Sequence, residues 1–376
     1  MHKREIRMKW RIAILCGVAI LVASCAQLGY YVQAAQGQFA LLSEAKPIDE
    51  WLNDPSTGAR LKGRLMRVRE IRAFAARELG LPDNGSFKTY TDLKRPFVLW
   101  NVVATPELSL KPEEWCFPIA GCVNYRGYYN KDEAQRFAKE LRGEGFDVQV
   151  GGVPAYSTLG WFNDPVLSTF ITYPDAELAR LVFHELAHQV VYVPGDSQFN
   201  ESFATAVEEA GVERWIEQHG DDSLRRDHVS FSSRKHDFLA LLLKYRAELE
   251  ANYARKASKE DKRKQKAAIF KSLVEEYQTL KIGKWGGYSG YDRWFAEPLS
   301  NAHLASIATY HDHVPAFRNL LAQEKTFPRF YEAARALAQL DRKERNARLA
   351  QLGRPTIMAG QPTIGATADA APAGDK

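Results

Sequence analysis

The apolar positions of this chain change their period near residue 175. Before that point short apolar runs alternate with breaks, and after it nearly every segment repeats at three and four residues. One early exception is helical: Leu61, Leu65, Val68, Ile71 and Ala75 recur at that spacing, with Arg64, Arg67, Arg69 and Arg72 between them, and predict a helix over 50–79. Gly80-Leu-Pro82-Asp-Asn84-Gly85 ends it. Segments 97–104, 147–150 and 167–173 read as strands, with a helix over 131–144 between the first two. Thr172 is placed to cap the next helix, with Asp175 three residues on. Further helices are expected over 201–218, 231–253, 257–280, 299–311 and 327–348. The sum is an α+β protein: a small N-terminal mixed sheet with helices, then a mainly helical half. There is no internal repeat, and 360–376, rich in Ala, Gly and Pro, reads as disordered.

At the junction stands Leu181-Val-Phe-His184-Glu185-Leu-Ala-His188-Gln-Val, an H-E-x-x-H motif. At about 100° per residue, positions four apart share one helix face, so both imidazoles can point at one ion about 2.0–2.1 Å away. Glu185 lies beside that face, close enough to take a proton from a water that the ion activates. Val182, Phe183, Leu186, Ala187, Val190 and Val191 make the rest of the helix apolar and hence buried. Buried His and Glu are costly unless compensated, and a metal compensates them.

Val193-Pro-Gly-Asp breaks the chain, and a second helix opens at Glu201. A tight connection makes the two helices antiparallel, so Glu201 faces His188 and is the better-placed third ligand. Glu208, two turns on along the same face, is the alternative, and the carboxylate that does not ligate is expected to orient a ligand imidazole.

His184-Glu185-Leu-Ala-His188 followed by Asn200-Glu201-Ser-Phe-Ala resembles the gluzincin pattern, in which a helix starting N-E follows H-E-x-x-H. The interval from His188 to Glu201 is shorter than in aminopeptidase-N-like enzymes or thermolysin. Trp115-Cys116 to Gly127-Tyr-Tyr, Gly152-Val-Pro-Ala-Tyr156, Asn301-Ala-His-Leu-Ala and Val314-Pro-Ala-Phe resemble a family of bacterial proteins named as aminopeptidases and anchored as lipoproteins. The resemblance runs from about residue 25 to about 340. It implies a zincin-like fold, one zinc ion per chain and a peptide substrate.

Lys3, Arg4, Arg7, Lys9 and Arg11 precede a short apolar run, 12–23, which suits a secretory signal better than a membrane span. Leu21-Val-Ala-Ser-Cys25 resembles the lipobox of bacterial lipoproteins, which implies acylation of Cys25 and a membrane contact through that lipid. Ala26 in place of Asp favours the outer membrane, facing the periplasm. The expected organisation is a signal peptide over 1–24, a metallopeptidase domain over 25–350 and a disordered tail over 351–376. Loss of residues 1–24 removes five basic side chains and one acidic one, so most of the formal +5 charge belongs to the signal. No nucleic-acid partner is called for. Cys116 and Cys122, alone in a C-x5-C spacing, are expected to form a disulfide in that oxidising compartment.

The charged run from Arg255 to Lys266 is expected to be a solvated helix face. A donor for the oxyanion is needed; in gluzincins it is often a Tyr or His beyond the third ligand, which points to Tyr310, with Tyr291 and Tyr288 behind it. The aromatic loop from Trp285 could line a cleft. The stretch after Gly151-Gly152 is where an edge strand could pair with a peptide backbone. Two alternatives stay open: an envelope lipoprotein that keeps zinc only for stability, and an endopeptidase acting on periplasmic or peptidoglycan peptides. Intact Glu185 argues against the first, because a structural site has no use for a base.

Overall fold

The computed structural model describes residues 29–117, 121–305 and 313–354; the signal segment, Cys25, Tyr310 and residues 355–376 lie outside them. Helix α1 (29–43) leads through β1 (Lys46–Pro47) into α2 (Ile48–Asn53) and α3 (Ala59–Leu79). There follow β2 (Thr89–Thr91), β3 (Leu99–Pro106), β4 (Trp115–Phe117), β5 (Gly121–Val123), β6 (Arg126–Tyr128), α4 (Lys131–Gly143), β7 (Phe146–Val153) and β8 (Val166–Leu167). Then come α5 (Asp175–Ala187), α6 (Ser197–His219), α7 (Asp222–Ala254), α8 (Lys259–Thr279), α9 (Asn301–Ala305), α10 (Val314–Glu324), α11 (Phe327–Ala338) and α12 (Arg342–Leu352). The class is α+β, with α5 at the junction between strands and helices.

Strand β3 is the centre of an antiparallel sheet ordered β6-β3-β7, in which Trp100 stands opposite Tyr128 on one side and Gly152 on the other. Ala134, Ala138 and Leu141 of α4 cover one face, against Trp100, Val102 and Val148. Strand β2 pairs antiparallel with β1 and parallel with β8, and β4 and β5 form a separate hairpin.

The expected strand over 167–173 shrinks to Val166–Leu167, and Thr172 does not cap α5, whose N-cap is Pro174. The reason is Arg64 on α3. Its guanidinium donates to the carbonyls of Ile171 and Tyr173 and pairs with Asp175, while Arg67 holds the other Asp175 oxygen. The start of α5 is therefore held from another helix, an arrangement that local sequence does not report. The helix expected over 327–348 is two, α11 and α12, with Asp341 capping the second through the N–H groups of Lys343 and Glu344. Helix α10, with Pro315 in its first turn, was not anticipated from the pattern. Of the helix expected over 299–311, α9 is the described part.

The charged run is only partly a solvated face. Arg263 pairs with Glu107, and the half-buried Lys266 pairs with Asp147 at 2.6 Å, so α8 is docked onto the ends of β3 and β7. Two helical cores result. Phe74 of α3, Phe183 of α5 and Trp215 of α6 meet in one, joined by Phe203, Phe317 and Phe330. Leu241, Leu249, Phe270, Leu273 and Tyr277 fill the other, between α7 and α8. Each such side chain contributes roughly 1.5–3 kcal/mol by leaving water. Among the described residues no helix is long and apolar enough to cross a membrane.

Candidate metal centre

Helices α5 and α6 run antiparallel at close range. Gly211 of α6 makes this possible: a Cβ there would lie 2.8 Å from Leu79 and 2.9 Å from Phe183. The first helix is shorter than its apolar pattern implies. It ends at Ala187, and the N–H groups of Gln189 and Val190 turn back to Leu186 and Ala187. His188, its C-cap, keeps helical angles and therefore stays on the His184 face.

The two Nε2 atoms stand 3.1 Å apart. Glu201 Oε2 lies 3.3 Å from His184 Nε2, and Oε1 lies 3.7 Å from His188 Nε2. Tetrahedral bonds of about 2.0–2.1 Å put neighbouring donors roughly 3.3–3.4 Å apart, which these spacings match. His184, His188 and Glu201 together could hold a metal ion.

Three supports set the short connection between α5 and α6. Asn200 is fully buried and clamps Val193 with both ends of its amide, accepting from the N–H and donating to the carbonyl, each at 2.8 Å. Asp196 caps α6 by accepting from Phe199 N–H at Oδ1, and its Oδ2 forms a buried ion pair with Arg345 of α12, accepting from Nε at 3.0 Å and Nη2 at 2.6 Å. Gly121 of β5 leans on the same loop: a Cβ there would meet Gly195 N at 2.5 Å, and both glycines have positive φ. Helix α6 accordingly begins at Ser197, and Glu201 sits at the end of its first turn instead of opening it.

Glu208 is on the far side of His184. Its Oε2 accepts from His184 Nδ1 at 2.8 Å, which leaves Nε2 free to face Glu201 and His188. Arg180 at 3.1 Å and Lys235 at 3.5 Å hold the same carboxylate, and Arg180 also pairs with Glu177. Burial opposes the charge on Glu208, but Arg180 and His184 outweigh it and keep the carboxyl well below its ordinary range. Burial likewise opposes a charge on His184, yet Glu201 and Glu208 push that imidazole up to about 10. His188 lacks the second carboxylate, and burial takes it down to about 4. Two carboxylates and a raised imidazole mean that the cluster favours a positive charge between them, as a metal would supply. That is the chemical fit of this donor set to a divalent cation.

A cavity of about 420 Å³ opens on these side chains. Glu185 lines it, nearly buried, and burial raises its carboxyl to about 7, within reach of proton transfer at neutral pH. The opposite wall comes from the sheet: Leu99 and Asn101 of β3, Gly127 of β6, Val153 of β7, then Ala155 and Tyr156. Strand β7 is an edge of its sheet, and its end borders the cavity, where a peptide backbone could be met. Asn101 stands between Gly127 and Gly151, and its buried Oδ1 has no hydrogen-bond partner among the described residues. Helix α1 adds Tyr30 and Ala34, with Gln33 bonded to the backbone of Gly127 and Tyr129.

A family model described as "Putative aminopeptidase" matches residues 29–349. The chain belongs to this family. No curated protein and no solved structure matches it. The span shared with the aminopeptidase family runs from α1 into α12 and so takes in the cavity, the three donors and the Arg345 support. The family name points to peptidase activity and a peptide substrate.

In this aminopeptidase-family chain the structure brings His184, Glu185, His188 and Glu201 into one cavity, and Cys116 and Cys122 into a disulfide across the β4–β5 hairpin. It does not bring Tyr288, Tyr291 or Trp285 there. Tyr291 stacks on Phe238, and Trp285 donates to Asp237, both in the α7–α8 core. Sequence reasoning missed Tyr125 and Tyr192, which line the cavity, and Asn200 as a clamp. Tyr125 lay within a quoted motif, three residues past Cys122, but nothing in its spacing distinguished it from a core aromatic.

Proposed function

We propose that this protein is a zinc-dependent peptidase, an aminopeptidase, with His184, His188 and Glu201 as ligands of one zinc ion and Glu185 as general base. The observation that carries the reading is the meeting of three donor atoms at tetrahedral spacing beside a buried carboxyl, all in one cavity. Zinc held there would supply the positive charge that acidifies water and polarises a peptide carbonyl. Glu185 accepts the proton of the attacking water as the C–O bond forms, and passes it to the leaving amine as the tetrahedral adduct collapses and the C–N bond breaks. Glu208 fixes the tautomer and orientation of His184.

Specificity for a free amino terminus draws support from the lining. Among the described residues around the cavity the charged side chains are Glu185 and Glu201, with no Lys or Arg, and five tyrosines surround them. Carboxylates and aromatic faces attract an ammonium group, and Asn101 Oδ1 offers it an acceptor. The gluzincin-like zincin architecture is part of this proposal. So are acylation of Cys25 and anchorage in the bacterial envelope, in the outer membrane facing the periplasm, which rest on the lipobox pattern.

Metal analysis of purified protein should find about one zinc per chain. His188→Ala should lose it, while Glu185→Gln should retain it and lower hydrolysis of aminoacyl para-nitroanilides by about 10²–10⁴-fold. Full activity in Glu185→Gln, or equal metal loss in both variants, would overturn the assignment.

A further inference from the structure

We propose that Tyr125 is a catalytic residue whose hydroxyl donates a hydrogen bond to the oxyanion formed from the scissile carbonyl. The inference rests on the peptidase reading of the site. The cavity is lined by five tyrosines, and they are not equivalent. The hydroxyls of Tyr129 and Tyr156 and Gln38 Oε1 form one hydrogen-bonded cluster, in which the two O–H groups serve the acceptors within it, and this fixes both rings as part of the seal between α1 and the sheet. Tyr30 is tied to the backbone of Gly127 and packs under the Arg126 guanidinium. Tyr192 follows His188 by one turn, with its ring beside that imidazole at 6.5 Å, on the same wall as the ligands.

Tyr125 differs in two respects. It comes from the segment between β5 and β6 and not from either ligand-bearing helix, and no hydrogen bond of its hydroxyl is found among the described residues. It lines the same cavity as Glu201 and the base Glu185, and both carboxylates act on its hydroxyl. A carbonyl carbon attacked by water at Glu185 would carry its oxygen between the ligand triad and this donor.

The local chain explains how a tyrosine is held there. Cys116 and Cys122 close the β4–β5 hairpin, and Gly121 presses on Gly195 in the loop between the ligands. Residues 122–126 therefore leave from a point braced against the metal-ligand loop itself. A donor placed this way needs little reorganisation as charge develops, the condition under which one hydrogen bond is worth about 10²–10³ in rate. The phenol keeps its proton throughout: burial first, and the neighbouring carboxylates next, raise its pKa far above neutrality. It thus stabilises charge without entering the proton transfer, which remains with Glu185.

The test uses Tyr125→Phe, which keeps the ring and removes the donor, beside Tyr192→Phe, Tyr310→Phe and Glu185→Gln. Three readouts are needed: zinc content, kcat and KM on leucine para-nitroanilide, and calorimetric affinity for a phosphinic pseudodipeptide whose tetrahedral oxygens imitate the oxyanion. Tyr125→Phe should keep its zinc and its KM, lower kcat by about 10²–10³, and weaken the phosphinate by a similar factor. Tyr192→Phe and Tyr310→Phe should each lose less kcat and less phosphinate affinity than Tyr125→Phe. Retention of kcat and phosphinate affinity in Tyr125→Phe, with Glu185→Gln inactive, overturns the role of Tyr125 and leaves the peptidase reading standing. Loss on Tyr310→Phe instead transfers the role to that residue. A parent protein that neither cleaves nor binds these probes overturns the peptidase reading, and this inference with it.

Discussion

Between α5 and α6 the buried groups include Glu185, His188 and Glu208, joined by Arg180; between α7 and α8 they are Leu241, Leu249, Phe270, Leu273 and Tyr277. Both are pairs of long helices, yet they are held differently. The α7–α8 pair keeps its ions at the rim, as in Lys244–Glu276 and Lys264–Glu260, and its interior is apolar or aromatic apart from Asn252, which donates to the Lys262 carbonyl of α8. Such a pair stabilises itself by leaving water. The α5–α6 pair has charge where its neighbour has leucine, and it relies on outside supports: Arg64 at the start of α5, Arg345 at the start of α6, Gly121 on the loop between. The difference teaches that the site is built from the surrounding fold inward. Removing a support should cost metal affinity as well as stability there, while damage to the other pair should cost stability alone.

The sharpest way to break this contrast is at its two centres. Arg180→Met leaves Glu208 buried with only Lys235 and His184 as partners, and should destabilise the protein by about 2–4 kcal/mol while weakening zinc binding. Leu273→Ala should cost about 2–5 kcal/mol with zinc affinity unchanged. Denaturant unfolding and metal titration of both variants would decide; equal zinc affinities would end the distinction.

A pH dependence follows next in size. Asp164, buried and accepting from Thr158 N–H, is raised by burial to about 6. The folded protein then holds a proton that the unfolded chain has released between roughly pH 4 and 6, so this group's contribution is present below pH 4 and lost as pH rises through 6. Asp164→Asn should remove a slope of about 2–3 kcal/mol across that window, read as the difference between parent and variant unfolding curves. A difference that stays flat with pH would show the carboxyl already ionised.

Glu201→Gln should weaken zinc at least roughly tenfold, about 1.4 kcal/mol, and Glu208→Gln by less, since it alters only the setting of His184. If Glu208→Gln strips the metal while Glu201→Gln keeps it, the assignment of ligand and support is reversed. The smallest effect belongs to the rim: Arg263→Met, which breaks an exposed pair with Glu107, should leave both Tm and zinc affinity where they were.

The sequence alone determined what depends on short-range periodicity and residue chemistry. Four-residue spacing puts His184 and His188 on one face whatever surrounds them, and Glu185 follows from its place between them. Most of the helix expected over 50–79, which is broken only at 54–58, the strand at β3, the disulfide across a short hairpin and the α+β class were legible for the same reason, since each rests on neighbours in the chain. What only the tertiary structure decided lies where distant segments meet. The start of α5 was misjudged because the segment leading into it is held by a guanidinium on α3. The α5–α6 interval is short because an amide, an ion pair to α12 and a glycine contact from β5 close it. Glu201 and Glu208 share a helix face and one chemistry, and they are separated only by which side of His184 each reaches once Gly211 lets the helices close. Tyr125 carries no periodic signal at all; its place in the cavity that Glu185 lines comes from a hairpin leaning on a loop far along the chain. Periodicity reports which way a side chain points from its own element, and a site also depends on what the fold brings to face it.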